Sequence, residues 1–492
     1  MKIWRFVIVK KILFAASEAV PFVKTGGLAD VVGSLPKYFD KKKYDVRIIL
    51  PKYACMEEKF KKQLKYVSHF YVELGWRKQY AGILEALVDD IHYYFIDNEF
   101  YFAGDKPYGE IYQDVEKFAF FSKAVIEAVK RIRFVPDIIH CNDWQTGLIP
   151  VFLKNVYHKQ EEYKKIRTIF SIHNIRFQGR WMIPTVKDIT GLPDKLFTAD
   201  CLETYGESNY LKGGIVSADA VTTVSKSYAM EIMTPEGGEG LDGVLRQHSY
   251  KLFGILNGLD YEEFNPQKDK YIPYNFDSQT VFEEKAKNKA ILQEKMGLPV
   301  KKDVFLVGMV SRMSDQKGFD LVDYMLDEIL YHENIQLVVL GTGEDRYENM
   351  FRHFAGKYPD KMAANVGYSE EMAHLIYAGA DAFLMPSLFE PCGLSQLMSL
   401  RYGTVPMVRE TGGLKDTVEP YNKYEGTGTG FSFANYNAHE MAAMLRTAME
   451  VYYKEAKEWK DLMLRGMQQD YSWISSVSEY ELLYQSVGEI MD

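Results

Sequence analysis

Short apolar segments alternate along the chain with longer segments in which apolar residues recur at three- and four-residue steps. The short segments are typical of buried parallel strands and the longer ones of amphipathic helices. Tyr112–Arg133 shows the helical pattern clearly. The predicted strands are Ile12–Ala16, Asp137–Cys141, Thr168–Ile172, Ala220–Val224, Val304–Val310, Ile335–Leu340, Ala382–Met385 and Val405–Val408. This alternation predicts an α/β protein with doubly wound parallel sheets.

The alternation forms two long series with a break after Leu256. We therefore expect a first Rossmann-like domain in residues 1–256 and a second in residues 257–472. The segment 473–492 is separate, because Trp473–Ile490 has a helical pattern of its own. Tyr66–Ile96 is β-rich without clear helices, which predicts a hairpin insertion in the first domain.

Composition narrows the functional classes. The chain has 59 Lys+Arg and 68 Asp+Glu, a formal net charge of -9, which disfavours nucleic-acid binding because that requires a dense basic face. No run of about 18 apolar residues predicts a transmembrane helix, and Lys10 and Lys11 interrupt the apolar start of a would-be secretory signal. The four cysteines lack CxxC spacing, so we expect reduced thiols in a cytoplasmic protein.

A glycine loop follows the first predicted strand, with the sequence Lys24-Thr-Gly-Gly-Leu-Ala-Asp and a predicted helix over Leu28–Phe39. Paired glycines permit close approach of a ligand, and a helix N-terminus presents free N–H groups to an anion, to which Lys24 adds a positive charge. The second series repeats Thr-Gly-Gly-Leu from Thr411. Both loops are either plain strand-to-helix turns or glycine loops that face one shared cleft.

Charged residues follow two strands of the second series. Arg312 and Lys317 come after Val304–Val310, and Glu390 comes after Ala382–Met385. Open α/β sheets bind ligands at the carboxyl ends of their strands, so the two cations are candidates to hold a pyrophosphate. Glu390 either binds sugar hydroxyls or caps a helix, and the cations are otherwise a solvated surface pair.

Two polar residues occupy similar positions in the first series. His173 follows Thr168–Ile172 and Asp143 follows Asp137–Cys141. Each is a candidate hydrogen-bonding group at a strand end, although a single histidine is more often structural. The chain has no Asp-x-Asp pair and no G-x-S-x-G elbow, and Gly341-Thr-Gly-Glu is only a fragment of the dinucleotide-binding glycine fingerprint. Metal-diphosphate, nicotinamide and α/β-hydrolase sites therefore lack support.

Taken together, these motifs resemble those of bacterial glycogen synthases and plant starch synthases. The resemblance runs in order from about Lys11 to Tyr484. It rests on the segments that begin at Lys24, Ser171, Ile255, Ser311, Pro386 and Thr411. It implies a GT-B fold, in which two Rossmann-like domains face each other across a cleft and a C-terminal helix returns to the first domain.

The resemblance also implies a reaction. Family members transfer glucose from a nucleotide diphosphate sugar to the 4-hydroxyl at a non-reducing glucan end and retain the α configuration. Bacterial members use ADP-glucose and build glycogen or a related α-1,4-glucan, without a metal or other cofactor. ADP-glucose and UDP-glucose both remain compatible with the residues, and the oligomeric state is left open.

Residue roles carry over position by position. The resemblance places His173, Arg312, Lys317 and Glu390 in the catalytic set and Asp143 on the sugar side. The implied donor-binding residues are Lys24, Gly26, Gly27, Asp30, Asn257, Tyr368, Thr411, Gly412 and Gly413. Two positions depart from family patterns: Gln145 stands where close relatives have His, and Met398 interrupts the Glu-x7-Glu pair of a neighbouring glycosyltransferase group. Residues 1–10 precede the usual family start.

Other functions share parts of this pattern. A sugar-nucleotide epimerase of the same fold would act without an acceptor, and a glucan phosphorylase would carry pyridoxal phosphate. A non-catalytic glucan-binding protein would not need Lys24, Arg312, Lys317 and Glu390 together.

Overall fold

The computed structural model describes residues 9–489, which form two compact units. The first unit contains residues 9–224, Ala229–Gly258 and the segment from Trp473, and the second contains Ser225–Tyr228 and Leu259–Ser472. Each unit has its own hydrophobic core. The start of the chain before residue 9 and the predicted helix end at Ile490 lie outside the described residues.

A mixed sheet forms the centre of the first unit, with a small antiparallel sheet beside it. In chain order the strands are β1 Lys10–Ala15, β2 Tyr44–Pro51, β3 Lys65–Leu74, β4 Arg77–Val88, β5 Ile91–Asp97, β6 Ile138–Asn142, β7 Arg167–Ile172, β8 Arg180–Met182, β9 Glu203–Thr204, β10 Glu207–Asn209, β11 Ala220–Thr223 and β12 Leu252–Gly254. The main sheet has the order β12-β11-β7-β6-β1-β2-β5-β4-β3 and the small sheet the order β8-β10-β9. Pairing in the main sheet is parallel up to β5 and antiparallel from β5 through β4 to β3, which confirms the predicted hairpin.

The helices of this part of the chain lie between its strands. They are α1 Gly27–Ser34, α2 Glu58–Lys61, α3 Ile111–Arg131, α4 Leu148–Phe152, α5 Ile183–Thr190, α6 Tyr210–Ser217, α7 Lys226–Glu231 and α8 Asp242–Gln247. The prediction of one helix over Leu28–Phe39 was wrong in its extent, because α1 ends at Ser34 and a 3-10 turn covers Leu35–Tyr38. Pro36 lacks the amide hydrogen that an α-helix needs in its interior.

The second unit is a parallel sheet with helices between successive strands. Its strands are β13 Phe305–Val310, β14 Ile335–Gly341, β15 Met362–Val366, β16 Ala382–Met385, β17 Val405–Arg409 and β18 Phe431–Phe433. Its helices are α9 Val281–Lys295, α10 Phe319–His332, α11 Asp345–Lys357, α12 Glu370–Gly379, α13 Ser395–Arg401, α14 Gly412–Thr417, α15 Ala438–Lys454 and α16 Ala456–Met467. The strand order is β15-β14-β13-β16-β17-β18, so the winding direction reverses between β13 and β16. A crevice opens at such a reversal in doubly wound folds.

The last described helix, α17 Trp473–Glu489, belongs to the core of the first unit. The Tyr484 hydroxyl is 2.8 Å from Nδ1 of His140, and Nε2 of His140 is 2.6 Å from the Ser171 hydroxyl. Ser171 in turn pairs with Thr222 at 2.5 Å. A buried chain of polar groups therefore ties the helix to three neighbouring strands.

The α/β class with parallel sheets is confirmed. Within residues 9–489, the helices include none that is both long and apolar enough to cross a bilayer.

Candidate functional site

The Lys24 loop lies between β1 and α1. Gly26 is extended and precedes the first residue of the helix, and Lys24 Nζ is 2.7 Å from Asp30 Oδ1. A Cβ atom added at Gly26 or Gly27 would have no heavy atom of the described residues within 4 Å. The glycine face of this loop is therefore open enough for a ligand to approach the backbone.

The buried carboxyl group of Glu18 accepts a hydrogen bond from the backbone of this loop. The Thr25 amide donates to Glu18 Oε2 at 2.5 Å, and Glu18 is 3% exposed. Removal from water raises the pKa of Glu18, while the hydrogen bond from Thr25 lowers it. The Tyr108 hydroxyl lies 2.7 Å from the neighbouring Ser17 hydroxyl. Neither Glu18 nor Tyr108 was among the predicted site residues.

Asp143 and His173, predicted at the ends of separate strands, are brought together because β6 and β7 are neighbours. The Asp143 amide donates to the Ser171 carbonyl at 2.9 Å. Oδ1 of Asp143 accepts a hydrogen bond from the His173 amide at 2.7 Å. Removal from water raises the pKa of Asp143 to about 7 despite the backbone hydrogen bonds that favour its charged form.

The His173 side chain faces Asn142. Its Nε2 atom is 2.9 Å from Asn142 Oδ1. Removal from water lowers the pKa of His173 to about 4. The imidazole is therefore neutral at neutral pH.

The second unit brings Lys317 and Glu390 into direct contact. Lys317 follows β13 and Glu390 follows β16, the two strands that flank the reversal of strand order. Lys317 Nζ is 2.6 Å from Glu390 Oε2, which also accepts a hydrogen bond from the Ser387 hydroxyl at 3.1 Å. A small depression beside the pair is lined by residues that include Val310 and Met385.

Glycine is required next to Lys317. Gly318 has a φ of 72°, and a Cβ atom there would lie 2.0 Å from the Pro386 carbonyl oxygen. Any side chain would push apart the loops after β13 and β16. This close approach of the two loops brings Lys317 within hydrogen-bonding distance of Glu390.

The second Thr-Gly-Gly loop differs from the first. Gly412 has a φ of 45°, and a Cβ there would meet the Glu390 carbonyl oxygen at 2.0 Å. A Cβ at Gly413 would meet the Cys392 carbonyl oxygen at 2.1 Å, and the Gly413 amide donates to the Glu390 carbonyl at 3.1 Å. Thr411 is the buried residue that precedes α14. These glycines therefore pack against the Glu390 loop, whereas Gly26 and Gly27 face open space.

The remaining predicted residues are more scattered within their units. Arg312 is exposed near the end of β13, and Tyr368 is 78% exposed in the loop between β15 and α12. Asn257 is buried, and its Oδ1 atom has no hydrogen-bond partner among the described residues. Within residues 9–489, no group of three or more His, Cys, Asp or Glu side chains is placed to hold a metal ion.

Comparisons with known proteins place both units in glycosyltransferase families. The family model for the starch synthase catalytic domain matches residues 11–247, and that for glycosyl transferases group 1 matches residues 291–461. The glycogen synthase of Lachnospira eligens is 61% identical over 97% of this chain and 100% of its own length. The glycogen synthase of Lachnoclostridium phytofermentans is 58% identical with the same coverage.

Among solved structures, the catalytic domain of starch synthase IV from Arabidopsis thaliana, bound to ADP and acarbose, superposes with a TM-score of 0.90. Its sequence is 32% identical, and the match covers 98% of this chain and 99% of that one. The similarity therefore extends over both units.

Proposed function

The chain belongs to the family of bacterial glycogen synthases and plant starch synthases, and we propose that it makes an α-1,4-glucan. It is a retaining glycosyltransferase of the GT-B fold, with a nucleotide-sugar donor and a glucan acceptor. The specific reaction we propose is transfer of an α-D-glucosyl unit from ADP-glucose to the non-reducing end of glycogen. The cytoplasmic location expected from the sequence stays a prediction.

The observation that carries the chemical assignment is the Lys317–Glu390 pair at the strand reversal of the second unit. Breaking the bond between glucose and diphosphate creates negative charge on the leaving group. A cation already held in place stabilises that charge where it develops. Glu390 orients Lys317 through the hydrogen bond between Lys317 Nζ and Glu390 Oε2. Arg312 is close in sequence to Lys317 and is the second candidate cation.

The other candidate roles stay as the family resemblance gives them. For the donor they are Lys24, Gly26, Gly27, Asp30, Asn257, Tyr368, Thr411, Gly412 and Gly413. His173 and Asp143 are candidates for the sugar. Contact with a ligand is supported by the open backbone of the Lys24 loop and by Asn257 Oδ1, which has no hydrogen-bond partner among residues 9–489.

Replacing the lysine tests this assignment. We expect Lys317→Ala to lower kcat by roughly 100-fold or more, because loss of one charge-stabilising donor costs about 3–4 kcal/mol of barrier. The KM for glycogen should stay within about twofold, since the lost cation is assigned to the diphosphate and not to the acceptor. Initial rates of glucose transfer from ADP-glucose measure both constants.

Lys295→Ala is the matched control, because Lys295 forms an exposed ion pair with Glu371 in the same unit. Its kcat should equal that of the wild-type enzyme. An unchanged kcat in the folded Lys317→Ala variant would end the assignment of Lys317 to the leaving group.

Retention of configuration needs either a covalent glucosyl intermediate or a front-face reaction. A double displacement requires a carboxylate at the anomeric carbon, and the described second unit offers Glu390, already bound to Lys317 and Ser387. We therefore favour a front-face reaction in which the leaving phosphate takes the proton of the acceptor hydroxyl. Mass spectrometry of the enzyme after reaction with a slow fluorinated donor should show no mass increase on the peptide containing Glu390; a glucosyl adduct there would refute this mechanism.

Donor choice and reaction class can be tested together. Incubation with equal ADP-glucose and UDP-glucose should elongate glycogen at the expense of ADP-glucose. Removing glycogen should stop release of ADP. Conversion of the sugar without any acceptor would instead identify an epimerase, and preferential use of UDP-glucose would refute the proposed donor.

A further inference from the structure

Asn142 holds its side-chain amide in one orientation. It is the last residue of β6 and is 1% exposed. Its Nδ2 atom lies 3.1 Å from the carbonyl oxygen of Ala15 and 3.1 Å from that of His140. Carbonyl oxygens only accept hydrogen bonds, so the NH2 group must face them. Oδ1 must then face His173.

This orientation determines which nitrogen of His173 carries the proton. Asn142 Oδ1 is an acceptor, and it lies 2.9 Å from His173 Nε2. Nε2 must therefore be protonated and donate the hydrogen bond. Because the imidazole is neutral at neutral pH, Nδ1 carries a lone pair and no proton. Within residues 9–489, no hydrogen bond from the protein to Nδ1 is present.

We propose that Asn142 is a positioning residue that fixes His173 as a hydrogen-bond acceptor, with Nδ1 receiving a hydroxyl group of the bound sugar. The inference deepens the proposed function and depends on it for the identity of the sugar. A neutral acceptor at Nδ1 cannot donate to the leaving diphosphate and cannot serve as a general acid. It can distinguish a sugar that presents a hydroxyl from one that lacks it.

The neighbouring titratable groups are compatible with this role. Oδ1 of Asp143 is engaged by the His173 backbone amide and not by the imidazole. His140, on the same strand as Asn142, has a pKa lowered to about 3 by burial, with a smaller contribution from His173. Glu18 acts on Asp143, whose pKa is raised mainly by removal from water, with a smaller contribution from the charge of Glu18.

A spectrum of the wild-type enzyme tests the tautomer without any assay of activity. The chain has 10 histidines, and selective 15N labelling with comparison to His173→Gln assigns the ring of His173. We expect a protonated, pyrrole-type signal for Nε2 and an unprotonated, pyridine-type signal for Nδ1 at pH 7. A protonated Nδ1 in the wild-type spectrum would overturn the proposal.

Asn142→Asp tests the effect on catalysis. A carboxylate beside Nε2 favours the charged imidazolium, which raises the pKa of His173 and places a proton on Nδ1. We expect kcat to fall about tenfold at pH 7, the order of one lost hydrogen bond, and to recover as pH rises. The KM for glycogen should change less than about twofold. The 15N spectrum should show the imidazolium at a pH at which wild-type His173 is neutral.

Asn98→Asp is the matched control. Asn98 is a buried asparagine of the same unit that both donates and accepts hydrogen bonds with backbone groups. It should leave the His173 spectrum and the pH profile of kcat unchanged. An Asn142→Asp enzyme with the wild-type spectrum and pH profile would refute the positioning role. Absence of glucose transfer by the wild-type enzyme would instead refute the proposed function, and the spectrum would still report the tautomer.

Discussion

Asp143 combines an unusual backbone conformation with an unusual acidity. Its φ of 56° and ψ of 179° are rare for a residue with a side chain and are found where the surrounding structure enforces them. Its amide and its carboxylate both bond to residues of the next strand end, Ser171 and His173. These contacts hold the carboxyl group in a partly buried position.

The raised pKa of Asp143 predicts a pH dependence of stability. An aspartate in an unfolded chain has a pKa near 3.9, whereas the folded value is about 7. The folded protein therefore binds the extra proton between these values, and this group makes the protein less stable as pH rises from about 4 to about 7. We expect Asp143→Asn to remove this dependence. The melting temperature of the variant minus that of the wild-type protein should be larger at pH 8 than at pH 5.

Calorimetric melting temperatures at the two pH values measure the effect. The control is Asp40→Asn, at an exposed aspartate of the same unit. Its difference from the wild-type protein should be the same at both pH values. A constant difference for Asp143→Asn as well would contradict the raised pKa.

The grouping of residues at strand ends was predictable, whereas the exact side-chain contacts were not. Parallel strands end at one edge of a sheet, so Lys317 with Glu390 and Asp143 with His173 could be expected near each other. The side-chain rotamers that join Asn142 to His173 depend on packing that no local pattern encodes. Glu18 could have been predicted as a site residue, because it follows the end of β1 as Asp143 follows the end of β6.

At the scale of elements, long periodic segments were predicted well. Predicted Tyr112–Arg133 became α3, and Ala382–Met385 matches β16 in both bounds. Seven of the described strands were not predicted: β2, β8, β9, β10, β12, β15 and β18. β18 has three residues, and the alternating polar residues of β2 resemble an edge strand although it pairs on both sides. Sheet position overrides the local pattern in such cases.

Attachment of α17 to the first unit depends on a polar contact as well as on apolar packing. In the Tyr484→Phe variant, Nδ1 of His140 loses its partner in a fully buried site. An unsatisfied buried group costs about 1–3 kcal/mol, so we expect a lower melting temperature for the first unit. Circular dichroism or calorimetry measures the change.

Tyr250→Phe is the matched control, since Tyr250 is 76% exposed in the same unit. It should melt with the wild-type protein. Equal melting of the Tyr484→Phe variant would show that the bond to His140 contributes nothing to stability.

At the scale of the whole molecule, the two cores are made from different stretches of sequence. The core of the second unit lies within residues 272–463. The core of the first unit includes side chains from the far end of the chain. They are Trp473, Val477, Tyr480, Leu483, Tyr484 and Val487.

A protein that ends at Ser472 should therefore lose stability in one unit only. We expect its calorimetric scan to keep the transition of the second unit while that of the first falls or disappears, because a large apolar face is left uncovered. Limited proteolysis should cut first within residues 9–258. In contrast, Leu482→Ala, at a residue of α17 that is 67% exposed, should leave both transitions in place. Equal loss of both transitions after truncation would contradict the separate cores.

The return of α17 to the first unit also bears on how the protein emerges from the ribosome. The ribosome synthesises most of the first unit early. Six side chains of its core are nevertheless absent until α17 has left the exit tunnel. The second unit has all of its core residues sooner. We therefore expect the second unit to complete its folding first. Until α17 packs against it, the first unit would expose an apolar surface to which chaperones can bind.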